Sequence, residues 1–322
     1  MIWAAIYGIR TGIQRLFKGE DKTANAAHAR GKAGPKSEHA KLVSAAQRGN
    51  VEAQVKLATA YADGDGVAQD YSEAAHWFAE AAKLGNPSAQ FSLAICYANG
   101  QGVGQDYEEA ITWFRVAAQH GVVGAQVSLA ICLQKGLGSS ASPTEAAKWF
   151  KLAAEAGDAA GEMGYASCLL HGTGVKVDAA EAAEWFRKAA GQGQGEAAYN
   201  LGKCYQDGVG VPHDVNEAFK YVKQAAESGL PQGQYELGMC YANGRGTEVN
   251  RIEAYRWVTL AAKRSIPGAE GVKNELAEQM KADDIAEACR RIDKMGAAGK
   301  ITTPVETVED EVVVRATEEA DA

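Results

Sequence analysis

Glycine recurs at positions 49, 85, 121, 157, 193 and 229, always 36 residues apart. An Ala-Ala pair keeps the same spacing at 45–46, 81–82, 117–118, 153–154, 189–190, 225–226 and 261–262, and single alanines do so at 74, 110, 146, 182, 218 and 254. Six full units begin at Ala53, Ala89, Ala125, Gly161, Ala197 and Gly233 with no insertion between them, and a half unit precedes them. A fixed period of this length marks one supersecondary unit stacked on copies of itself, so the chain cannot be organised around a single central core.

Each unit reads as two helices. In the first, Ala53, Leu57, Ala60 and Tyr61 fall at i, i+4, i+7 and i+8, one stripe of a helix. A Gly-x-Gly turn follows at 64/66, 100/102, 136/138, 172/174, 208/210 and 244/246, where a helix can end in the left-handed region. The second helix opens at Asp70, Asp106, Ser142, Asp178, Asp214 or Asn250. Three residues later stands Glu73, Glu109, Glu145, Glu181, Glu217 or Glu253, which predicts a capping box with Glu reaching back to the cap. That helix buries a small–large–small stripe such as Ala74, Phe78 and Ala81, and stops at Gly85. A lone hairpin of this kind cannot cover its own apolar stripe, whereas a neighbouring hairpin can.

Unit two shows the whole pattern: Ala89, Leu93, Tyr97, Gly100-Gln101-Gly102-Val103, Ala110, Trp113-Phe114, Ala117-Ala118 and Gly121. These residues resemble the Sel-one-like repeat, a relative of the tetratricopeptide repeat, over about residues 38–268. The resemblance implies an all-α fold, a right-handed α–α superhelix (solenoid) of six full 36-residue hairpins, with a half repeat before it and a helical cap after it. It also implies a concave groove that receives peptides or partner proteins, hence a non-catalytic adaptor or scaffold. Departures are local. Leu133 and Leu169 replace the tyrosine, Tyr221-Val222 replaces Trp-Phe, and Ser265 replaces the closing glycine.

The solenoid is bounded at residues 37–268, with repeats at 53–88, 89–124, 125–160, 161–196, 197–232 and 233–268. Ala269–Met280 and Asp283–Met295 read as two capping helices within 269–296, and 297–322 as an acidic tail without fixed structure. Residues 1–48 carry nine Lys/Arg against three Asp/Glu, and 301–322 one against seven. Residues 1–18 form an amphipathic pattern, followed by a basic flexible linker at 19–36. Trp3, Ile6, Ile13 and Phe17 lie on its apolar side, with Arg10, Arg15 and Lys18 among them. Three readings stand: a helix on an anionic membrane surface, a cap on the solenoid, or a poor export signal. The expected location is cytoplasmic with or without membrane association, and a periplasmic one stays open. A second functional reading follows from the membrane option, a membrane-associated regulator of an envelope or wall-synthesis enzyme.

Nothing in the sequence points to chemistry. The six histidines (28, 39, 76, 120, 171, 213) fall at unrelated repeat positions with no metal-ligand spacing, so no metal and no cofactor is expected. The Gly-x-Gly pairs follow helices and lack the lysine of a phosphate loop. A formal net charge of −8 disfavours non-specific nucleic-acid binding. Five cysteines, at 96, 132, 168, 204 and 240, share one position of the first-helix stripe. Equivalent helices stack about 8–10 Å apart, too far for a disulfide, so these are expected to be reduced core thiols.

Alignment with the tetratricopeptide pattern puts unit positions 3 and 7 on the inner face. A groove lined by Ile95, Val127, Ile131 and Met163 and anchored by Phe91, Tyr199, Tyr235 and Met239, with Lys203 and Asp207 adding polar selectivity, would bind a peptide or partner protein. The competing reading packs position 3 against the neighbouring repeat.

Overall fold

The structure is a computed structural model that describes residues 35–297. Among those residues it contains fifteen helices and no strand. Contacts divide the chain into two compact units, 1–177 and 178–322. The first holds α1 (Pro35–Gln47), α2 (Val51–Asp63), α3 (Tyr71–Lys83), α4 (Pro87–Asn99), α5 (Tyr107–Gln119), α6 (Val123–Lys135), α7 (Pro143–Glu155) and α8 (Ala159–His171). The second holds α9 (Ala179–Gly191), α10 (Gly195–Asp207), α11 (Val215–Glu227), α12 (Pro231–Asn243), α13 (Arg251–Ala262), α14 (Ala269–Glu278) and α15 (Ala282–Ala297). Helices α2 to α12 are all 13 residues long, as a strict period requires.

The core is built as a row of small–large contacts. Phe78 of α3 packs with Ala58 of α2 on one side and Ala89, Leu93 and Cys96 of α4 on the other, so a second helix lies between two first helices. Phe114 and Phe186, its counterparts, are fully buried, each worth about 1.5–3 kcal/mol of transfer free energy. Where the partner approaches most closely, alanine gives way to glycine. A Cβ on Gly161 would sit 2.6 Å from that of Ala153, and one on Gly238 would sit 2.5 Å from Val258.

Both glycines of the turn have positive φ, for different reasons. Gly100, at +67°, ends its helix in the left-handed region. Gly102 lies against the start of the preceding second helix, where a Cβ would meet the Tyr71 carbonyl oxygen at 1.8 Å. Gly138, Gly174, Gly210 and Gly246 face the carbonyls of Tyr107, Pro143, Ala179 and Val215 in the same way. The second glycine therefore serves repeat stacking as well as the turn.

The second helices are half capping boxes. Asp106 accepts from the Glu108 and Glu109 amides, and Asp70 and Asp214 do likewise. The reciprocal half does not form. The cap's own N–H donates instead to the carbonyl at the end of the first helix, Asp70 to Tyr61, Asp106 to Tyr97 and Asp214 to Tyr205. Glutamate is thereby released to other partners. Glu145 accepts from Trp149 Nε1 at 3.3 Å, and Glu181 from Trp185 Nε1 at 3.1 Å. Ser142 makes no side-chain cap bond at all, and its N–H is taken by Leu133.

The unit ends differ from expectation in detail. Pro35 and Lys36, assigned to the linker, open α1. The last helix spans Ala282–Ala297, longer than the segment read from sequence. Helix α15 is tied back to α13 by Arg291 Nη1, 2.6 Å from Glu253, which also binds Arg256 at 2.7 Å. Residues 1–34 and 298–322, which include the amphipathic segment and the acidic tail, lie outside the described residues.

Candidate functional site

In the first unit the expected inner positions divide into two groups. Val127, Ile131 and Met163 are half-buried, as open-face residues of a helix row should be. Phe91 and Ile95 are not open: they are 9% and 6% exposed. The Phe91 ring lies 5.9 Å from that of Phe114 on the second helix of its own hairpin. Position 3 was expected to escape hairpin packing. A side chain as long as phenylalanine instead reaches over the helix edge to full burial, whereas shorter Val55, which packs at the margin of the core, and Val127 stay half-buried.

In the second unit Tyr199, Lys203, Tyr235 and Met239 are all half-buried on α10 and α12. Tyr199 lies near Glu236, and burial is the main reason its hydroxyl is held above the usual tyrosine range. Glu236 pairs with Arg245 at 3.1 Å, and Lys203 donates to the neutral Gln206 Oε1 at 2.9 Å. Asp207 is exposed. Tyr235 also packs against the cluster of α13, α14 and α15 that contains Tyr255, Val258 and Leu276, so it serves stability as well as surface. The face therefore offers aromatic and thioether surface beside one ammonium group held only by a neutral amide and one guanidinium already paired. These side chains include no nucleophile–base pair.

Two features near this face were not singled out from sequence. Gln54, Gln90 and Gln126, at position 2 of successive units, are more than nine-tenths buried. Each donates Nε2 to the carbonyl of Ala46, Ala82 or Ala118, at 3.1–3.4 Å, at the end of the preceding second helix. In the fifth repeat Ala198 takes that position, and Gln224 of α11 serves the Ala190 carbonyl instead, at 2.5 Å, while the sixth again has a buried glutamine, Gln234. The signal was the 36-residue recurrence of glutamine itself. The other is the chemistry of the cysteines. The five in the first helices are buried and free, and burial pushes Cys96, Cys132, Cys168 and Cys240 up to about 11. They are therefore unreactive thiols at neutral pH. Cys289 is exposed. Among the described residues no group of His, Cys, Asp and Glu could hold a metal, and no helix is long and apolar enough to cross a membrane.

Repeated hairpins of equal length, with side chains left half-open along the first helices, define an all-α solenoid. The chain belongs to the Sel1 repeat family, whose model matches residues 51–86, 87–122, 123–158, 159–194, 195–230 and 231–265. Proteins of this family are generally protein-interaction scaffolds and typically non-catalytic. Among solved structures, the chain is similar to c5321, a protective antigen present in uropathogenic Escherichia coli strains that displays an SLR fold. The TM-score is 0.72 at 30% identity, over 81% of this chain and 57% of that one. This chain thus spans little more than half of that relative's length. It is also similar to a Sel1 repeat protein from Oxalobacter formigenes, with a TM-score of 0.62 at 28% identity, over 71% of this chain and 97% of that one. No curated protein matches the sequence.

Proposed function

We propose that this protein is an adaptor that binds a partner polypeptide on the first-helix faces, with Tyr199, Lys203, Tyr235 and Met239 forming the anchor set of the second unit. The observation that carries this reading is that four successive inner positions on α10 and α12 stay half-open although they include two tyrosines and a methionine. Tyrosines give large contact area at low entropic cost and are enriched among the residues that dominate interface energetics. Val127, Ile131 and Met163 offer a more aliphatic surface of the same origin in the first unit. Phe91 and Ile95 contribute support from beneath rather than contact. Nothing among the described residues favours the second reading, a regulator of an envelope enzyme at the membrane.

The test uses a partner captured with the intact chain and then purified. Tyr199→Ala with Lys203→Glu is expected to weaken its affinity by about tenfold or more, about 1.4 kcal/mol, with helicity unchanged. Equal affinity in the folded double variant would remove this face from consideration. Tyr235→Ala is a poorer probe because its contacts with the C-terminal helices confound binding with stability.

A further inference from the structure

Lys203 interrupts an otherwise uncharged series. Positions 3 and 7 of the six units run from Val55 and Thr59 in the first to Tyr235 and Met239 in the sixth, and the only charge among them is that of Lys203. Lys203 is half-buried on α10, and its ammonium group has an acceptor but no counter-ion, the neutral Gln206 Oε1 at 2.9 Å. Glu236 of the adjoining α12 does not neutralise it, because that side chain is 16% exposed and already paired with Arg245 Nη2 at 3.1 Å. Asp207, one turn beyond Lys203, is exposed and forms no ion pair with it. Burial pushes the Cys240 thiol up to about 11, and Arg245 and Lys203 both act against that rise, so the two cations face the same part of α12. Lys203 and Arg245 against Glu236 leave one positive charge in this patch, on a chain whose formal net charge is −8.

We infer, on the basis of the adaptor role, that the partner segment seated on α10 and α12 presents one aspartate or glutamate flanked by apolar side chains, and that Lys203 sets its register by pairing with that carboxylate. A half-buried ammonium group has lost part of its water, and a neutral amide returns less than a carboxylate does. A carboxylate brought by the partner therefore gains a charge-assisted hydrogen bond at this point. Tyr199, one turn before Lys203 on α10, and Met239, at the equivalent position of α12, are half-open and supply the apolar surface beside it. Elsewhere along positions 3 and 7 a shifted partner would find no second cation, so one lysine distinguishes one register from the rest. A basic side chain at the same point would meet like charge while losing its own water, so Lys203 also selects against basic segments.

Random peptides displayed on phage and selected on the full chain supply the probe, and the selected peptides are then synthesised. They are expected to carry an aspartate or glutamate beside aliphatic or aromatic residues. Changing that acid to lysine, which leaves the protein's own fold untouched, should weaken binding to the native chain by about tenfold or more. The same basic peptide should bind Lys203→Glu better than it binds the native chain. Lys203→Gln, which removes the charge but keeps a polar chain, should weaken the acidic peptide without favouring the basic one. Peptides that lose affinity on Tyr199→Ala, yet keep it both on Lys203→Gln and on replacement of their acid, would overturn the acidic partner and leave the adaptor face standing. Failure to select any peptide, or full affinity for Tyr199→Ala and Lys203→Glu alike, would remove the face and the acidic partner together.

Discussion

At the residue scale, one position shows how strictly the repeat geometry governs the backbone. The glycines closing the second helices have φ of +82° to +89°. In the sixth repeat Ser265 stands in that place and keeps the conformation, at φ +54°, the single non-glycine with positive φ among the described residues. A side chain there costs about 1 kcal/mol, because Cβ crowds the following carbonyl in the left-handed region. Ser265→Gly is therefore expected to raise the unfolding free energy by about 1 kcal/mol, read from a urea midpoint at constant slope. An unchanged midpoint would mean that the serine is accommodated without strain. The departure at 265 was visible in the sequence, but its cost was not, because a replaced glycine does not reveal whether the backbone follows the new residue or keeps the old turn.

At the element scale, the start of a second helix rests on one side chain rather than two, and at Ser142 on none. In the fifth helix Asp106 caps two amides, while its N–H bonds to Tyr97 and leaves Glu109 no reciprocal role. Asp106→Ala is expected to cost about 1 kcal/mol, and Glu109→Ala only a few tenths through the helix dipole. Equal losses in thermal unfolding would restore the full capping box. Helix lengths, turn glycines and the Ala–Leu–Tyr stripe were all legible, since periodicity fixes which side of a helix is apolar. What stayed hidden depended on which neighbour each atom meets. The burial of Gln90 follows from a carbonyl of the preceding helix, Ala82, that its side chain serves. Phe91 reads as a groove residue until its ring is found beside Phe114. Gly102 reads as a turn residue until the Tyr71 carbonyl is placed against it. The candidate face was legible in part: Tyr199, Lys203, Tyr235 and Met239 are half-open as their helix positions imply, whereas Ile95 is not.

At the scale of the whole molecule, the account rests on hairpins of equal length in which each supplies the wall that its neighbour lacks. Stability then approximates a sum of repeat and interface contributions, without a privileged centre. The most direct measurement is cooperative unfolding, followed by circular dichroism, of a chain from which residues 123–158, one whole repeat, are excised. The chain is expected to keep its helicity per residue and a single cooperative transition at a lower denaturant midpoint, while removal of 123–140 alone, half a period, should abolish that transition. Loss of helicity on excising the whole repeat, or equal tolerance of both deletions, would contradict the account.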